Sequence, residues 1–198
     1  MPKQITITKE MLGDTAFSLV RESGIGELSA RNLANRLKCS TQPIYKAYGS
    51  MDKLKENVMR SLADFMMKSI IGYRKTGSAF LDSGLGYINF AKTEKILFQL
   101  FCLENDSHNV LQSEIGNNEV RELMEKELTD WKLSKDSMDK IFLQTMIFTY
   151  GLAVLAFLDN VGLSEDETAL LLKETFESYV NQELEDGDYE YHCDWRKS

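Results

Sequence analysis

Residues 39–54 read CSTQPIYKAYGSMDKL and place a hydroxyl, an amide, a phenol and an ammonium (Thr41, Gln42, Tyr45 and Lys46) within one short stretch. This set suits hydrogen bonding rather than bond breaking, because no acid or base stands at catalytic spacing beside them. A glutamine amide pairs with the edge of adenine, and a lysine pairs with guanine or phosphate. A tyrosyl hydroxyl on phosphate positions a protein without reading sequence. The Thr41 methyl and the Pro43 ring offer apolar surface to a thymine methyl. Pro43 also fixes where these groups sit. The first turn of a helix has amides with no internal partner, so proline is tolerated there, whereas in a helix interior it costs ~3 kcal/mol. With Ser40 as N-cap, Pro43 is the third helical residue; with Thr41, it is the second.

The elements that must hold this stretch are legible around it. Thr6 or Thr8 caps a helix over about 9–23, with Met11, Leu12, Ala16, Leu19 and Val20 at helical spacing and Gly24 as its stop. Ser29 caps a short helix with Leu33, Ala34 and Leu37 as its buried stripe. Ala34 is the small residue that two closely packed helices need between them. The next short helix buries Ile44 and Tyr48 and leaves Thr41, Gln42, Pro43, Lys46 and Ala47 exposed. Gly49 ends it, and Ser50 caps a long helix over about 51–73. The pair forms a helix-turn-helix, in which the start of the second helix reaches base edges. By pattern alone, a helical hairpin buried in a core fits as well. Charge favours the first reading. The net charge is −8, yet residues 1–55 hold nine Lys/Arg against five Asp/Glu, and the rest hold fourteen against twenty-six. A basic head on an acidic body suits phosphate neutralisation.

The whole chain reads as all-α: 198 residues with two prolines, Pro2 and Pro43, and no convincing strand. Helices are expected over about 79–91, 94–104, 109–131, 135–159 and 165–184. Ser134 is an N-cap, and Ser164 with Glu167 is a capping box. The division is a head over 1–52 and a body over 53–198. IFLQTMIFTYGLAVLAFL (141–158) approaches the ~20 apolar residues that a bilayer span needs. Polar interruptions and flanking Lys140 and Asp159 point instead to burial in protein. MPKQITITKEML lacks the apolar run of a secretion signal. Cys39, Cys102 and Cys193 are scattered, so reduced thiols and a cytoplasmic location are expected. His108 and His192 are the only histidines, without ligand spacing, so no metal and no cofactor is expected. Hydrolase, phosphate-loop and zinc-protease motifs are missing, so an enzyme is not expected.

LSARNLANRLKCSTQPIYKAYGSMDKL resembles the DNA-binding module of the TetR (tetracycline repressor) family of bacterial transcription regulators. The match rests on Ala34, the Ser40-to-Tyr45 run ending in Ile-Tyr, Tyr48, Ser50 and Leu54, over about residues 8–58. The resemblance implies a repressor that binds a palindromic operator in double-stranded DNA as a homodimer. It places Thr41, Gln42, Pro43, Tyr45 and Lys46 on DNA, Ser29 and Arg31 on phosphates, and Lys3 in a basic arm. Three departures stand out: Lys38 replaces the usual turn glycine, Met51 the usual lysine, and Ala47 the usual histidine. Lys53 or Lys55 is left to supply the phosphate contact. The resemblance also implies dimerisation through the last two helices. Gly151, Ala153 and Ala156 permit close approach there, and Leu170, Leu171, Phe176 and Tyr179 form the second face. It implies a small-molecule effector, largely apolar, in a body pocket. The aromatic stock for that pocket is Phe65, Tyr87, Phe90, Phe98, Phe101, Trp131, Phe142, Phe148 and Tyr150. The alternative is a module of the same fold that signals through a protein partner. No membrane is expected as a partner.

Overall fold

A computed structural model describes residues 7–104, 114–160 and 162–185, with 114–117 as backbone only. Lys3, His108, His192, Cys193, the start of the helix expected from 109 and the tail from 186 lie outside the described residues. The described residues contain helices and turns and no strand, as expected. The head holds α1 (Lys9–Ser23), α2 (Ala30–Leu37) and α3 (Gln42–Tyr48). α4 (Met51–Ile71) leads into α5 (Ala79–Thr93), α6 (Lys95–Phe98), α7 (Glu114–Glu127), α8 (Lys135–Phe157) and α9 (Glu165–Glu185).

Except at α3, the expected caps act where the sequence places them. The Thr8 and Ser29 hydroxyls accept from Met11 N at 3.1 Å and Asn32 N at 3.2 Å. The Ser50 and Ser134 hydroxyls accept from Lys53 N at 3.3 Å and Ser137 N at 3.1 Å. Ser164 and Glu167 close the reciprocal box, with Glu167 N donating to Ser164 Oγ at 3.2 Å and Ser164 N to Glu167 Oε2 at 2.8 Å. A side-chain cap of this kind contributes about 1 kcal/mol.

α5 is the axis of the body, buried on most sides and packed against α4, α7, α8 and α9. α4 crosses it so closely that a β-carbon on Gly86 would stand 2.5 Å from the Ile70 carbonyl oxygen, which leaves room only for glycine. One apolar core runs unbroken from Leu12, Leu33 and Ile44 in the head, along Leu54, Leu62 and Met66 of α4, to Phe90, Phe98 and Phe101 in the body. A second core fills the far end with Phe80, Met124, Ile141, Leu172 and Phe176. Each such side chain contributes about 1.5–3 kcal/mol when withdrawn from water. Head and body also meet at Arg21, whose Nε donates to Glu94 Oε2 at 2.8 Å while its guanidinium lies 4.7 Å from the Phe65 ring centre.

Two expected helices differ. The helix expected over 94–104 is α6 followed by a π-helical turn, Gln99–Leu103. Its wider register directs Leu100, Phe101 and Cys102 all inward, and Glu104 N reaches back five residues to Gln99 O at 2.9 Å. The helix expected to 131 stops at Glu127. A 3₁₀ turn, Thr129–Trp131, follows and ends at left-handed Lys132.

Candidate nucleic-acid interface

Ile44 anchors α3. It is fully buried, so the rest of this seven-residue helix is oriented by one side chain. Tyr48 locks the other end. Its hydroxyl donates to Lys9 O at 3.1 Å, and Lys9 Nζ sits 5.0 Å above its ring. Burial first, then the nearby Asp14 carboxylate, raises the Tyr48 phenol above its ordinary value, so it remains a donor at neutral pH. Around these anchors Thr41, Gln42, Tyr45 and Lys46 are exposed, with Tyr45 at 48%. Pro43 and Ala47 were expected among the exposed residues. Both are half-buried, and Ala47 packs on the head core.

Pro43 is the second helical residue, after Thr41 as N-cap. Neither Ser40 nor Thr41 provides a side-chain cap. Thr41 has helical backbone angles, φ −74° and ψ −14°, and its hydroxyl makes no cap bond. That hydroxyl and the early amides of α3 are therefore not bonded to each other.

Ser29 and Arg31 stand at the start of α2. Arg31 is exposed, while the Ser29 hydroxyl is already engaged by Asn32 N. Asn32 Nδ2 in turn donates to Glu27 O and Glu27 Oε2, both at 2.9 Å, which fixes the approach to α2. Apart from Lys9, which lies over the Tyr48 ring, the described cations of the head sort into two groups. Arg21 and Arg36 are paired inside the chain with Glu94 and Glu22. Among the described residues Arg31, Lys38, Lys46, Lys53 and Lys55 are exposed and form no ion pair. These belong to the start of α2, the turn, α3 and the start of α4. Met51, in place of a lysine, is half-buried against the head core, so Lys53 and Lys55 are the cations available at that helix start.

The turn itself is strained. Lys38 caps α2 in the left-handed region at φ 50° and ψ 44°, and Cys39 N closes the turn on Ala34 O at 3.0 Å. A β-carbon in this region costs about 1–2 kcal/mol. Lys38→Gly is expected to raise stability by about 1 kcal/mol, which lifts the melting temperature of a chain this size by about 2–4 °C. Thermal unfolding by circular dichroism measures it; a lowered midpoint contradicts the turn geometry.

In the body, a cavity of about 390 Å³ lies between α4, α5, α7, α8, α9 and the π-helical turn. Of the aromatics named for an effector pocket, Tyr87 and Tyr150 line this cavity. Phe65, Phe90, Phe98 and Phe101 do not. They fill the continuous core, where Phe98 packs on Tyr87 and Phe157 with ring centres 5.6 Å and 5.5 Å apart. Phe148 bridges the two cores, Phe142 belongs to the far core, and Trp131 is exposed on its 3₁₀ turn. Helical spacing assigns a residue to a face but not to a neighbour. Ser83, Cys102, Thr145 and Thr149 also line the cavity. Thr145 and Thr149, polar and four apart within an apolar run, were the available signal.

α8 passes the length and composition test for a bilayer span. One face (Ile141, Thr145, Leu152, Ala153, Ala156) is buried, and α8 packs on α5 and α9. The opposite stripe is open: Leu143 47%, Ile147 64%, Leu155 43% and Leu158 53% exposed, with Gly151 among them. Ala153 and Ala156, expected to face a partner, lie in the chain's own core, as does Phe176 of α9. Leu170 and Leu171 are exposed, and Tyr179 is half-buried.

No family model and no curated protein sequence matches the chain. Solved structures do. A TetR-like transcriptional regulator from Rhodococcus sp. RHA1 aligns with a TM-score of 0.62 at 16% identity, over 90% of this chain and 99% of that one. A protein described as a TetR-family transcriptional regulator from Rhodococcus sp. aligns at 0.59 and 10% identity, over 87% and 98%. Both alignments span head, connecting helix and helical body together. The chain has the fold of the TetR-like transcriptional regulators.

Proposed function

We propose that this chain is a TetR-type, non-enzymatic DNA-binding transcriptional regulator, a repressor acting in the cytoplasm. A head over residues 1–52 binds a palindromic operator, and a body over 53–198 forms a homodimer and holds an effector. The observation that supports this most is the sorting of charge in the head. Arg21 and Arg36 are neutralised within the chain, while Arg31, Lys38, Lys46, Lys53 and Lys55, in the same head as Thr41, Gln42 and Tyr45, are exposed and form no ion pair among the described residues. Unpaired cations release condensed counterions when they meet phosphates, and this term dominates DNA affinity.

Regulation follows from α4. Its first turn carries Lys53 and Leu54 beneath α3, and its last turn carries Ile70 in the cavity wall. A ligand that favours one position of α4 thereby favours one spacing of the two recognition helices in the dimer. Gel shift against fragments of the host genome tests the reading: binding that falls steeply with salt supports it, and absence of binding with co-purification of a partner protein overturns it.

A further inference from the structure

Two helix ends in the head have positive φ and glycine: Gly24 after α1 at φ 85°, and Gly49 after α3 at φ 81°. The third, at the turn between α2 and α3, has Lys38 at φ 50°. Among the described residues of the head, Lys38 is the one residue other than glycine with positive φ. Its main chain helps to close the turn, with Lys38 N donating to Asn35 O at 3.2 Å. Its side chain takes no part in that closure. It is exposed, and among the described residues it forms no ion pair. A glycine would close the same turn without the strain.

Nothing in the described chain offsets the stability that this lysine costs. A cation at a helix C-terminus meets the negative end of the helix dipole, but Arg36 already stands in the last turn of α2. Arg36 is held by Glu22 Oε2 at 2.6 Å, whereas no described acid holds Lys38. Strained residues persist where the strain serves a site. The site around this one is the helix-turn-helix: Lys38 stands three residues before Thr41, the N-cap of α3. An ammonium is a compact point charge without a planar hydrogen-bonding fork, which suits phosphate.

We infer that Lys38 contacts a phosphate of the DNA backbone, so that the turn itself anchors the helix-turn-helix on the duplex without reading sequence. This contact rests on the DNA-binding reading above and adds to it a residue outside both helices. It sets two quantities against each other: the lysine lowers stability and raises DNA affinity.

Three variants separate charge from strain. Lys38→Gly removes both, Lys38→Asn removes the charge and tolerates the left-handed turn, and Lys38→Arg keeps the charge. The probes are a mixed-sequence duplex and a duplex enriched from a random pool, each titrated by fluorescence anisotropy across a salt series. For a two-fold dimer, Lys38→Gly and Lys38→Asn are each expected to lower the slope of log affinity against log salt by about 2. At about 0.15 M salt this is a loss of about ten- to thirtyfold, equal on both duplexes, and it fades as salt rises. Lys38→Gly is meanwhile expected to melt about 2–4 °C higher, so that affinity falls while stability rises. Lys38→Arg is expected to bind within about threefold of the parent chain. Unchanged affinity and slope in Lys38→Gly and Lys38→Asn, with the parent chain bound, overturn the phosphate contact alone. A loss in Lys38→Arg as large as in Lys38→Asn does the same, because charge would then not be the cause. A loss confined to the enriched duplex makes Lys38 a base contact and overturns the phosphate assignment. A parent chain that binds neither duplex removes the DNA-binding reading, and the phosphate contact with it.

Discussion

Tyr45→Ala combined with Lys46→Ala is expected to reduce affinity for a bound DNA fragment by at least about a hundredfold without loss of fold. Each contact to a base edge or phosphate contributes about 1–3 kcal/mol, and a two-fold dimer loses each of them twice. A loss of about 3–4 kcal/mol is a factor of several hundred. The fold is expected to survive because Tyr45 is 48% exposed and Lys46 is exposed, and among the described residues neither has an ion-pair partner. Surface changes of this kind alter stability by about 0.5 kcal/mol or less. Removing one lysine per protomer also lowers the slope of log affinity against log salt by about 2. Fluorescence anisotropy across a salt series reads both quantities. Unchanged affinity and slope in a folded double variant would remove α3 from the interface.

The second large effect concerns the body. Ile147→Glu is expected to convert a dimer to a monomer. Ile147 is 64% exposed and sits between Leu143 and Gly151 on the outward stripe of α8. Exposed Leu170 and Leu171 of α9 add a second apolar strip. A carboxylate buried unpaired at such an interface costs several kcal/mol, enough to raise the dimer dissociation constant about a thousandfold. Ile147 belongs to neither core, although it also lies at the edge of the body cavity, and the protomer itself is expected to stay folded. Light scattering after size exclusion distinguishes the species. DNA affinity falls with the dimer, since each protomer then holds only one half-site. A variant that remains dimeric would place the interface elsewhere.

Local chemistry made much of this legible in the sequence. Helix starts at Thr8, Ser29, Ser50, Ser134 and Ser164 follow from hydroxyl caps that act within three residues. The head was readable for the same reason, since Ile44 and Ala34 face inward by helical period. The π-helical turn was not readable. The Cys102 carbonyl is held by the Tyr150 hydroxyl, 48 residues away, and local propensity carries no trace of such a bond. The division of aromatics between cavity and core failed likewise. Phe98 and Tyr87 obey the same spacing, yet only Tyr87 reaches the cavity. Small residues are ambiguous in a related way. Ala153 and Ala156 permit close approach to any helix, and the helices they meet belong to their own chain. The useful signal in α8 was polarity out of place: Thr145 and Thr149 on its buried face mark the cavity wall.

The central claim is that a symmetric pair of α3 helices reads DNA. Selection of bound duplexes from a random pool by the purified full chain tests it most directly. The account predicts enrichment of an inverted repeat with half-sites about one helical turn apart. It also predicts two chains or a multiple of two on each selected duplex, with affinity that drops steeply as salt rises. Failure to enrich any sequence, or enrichment of a single asymmetric site bound by one chain, would contradict it.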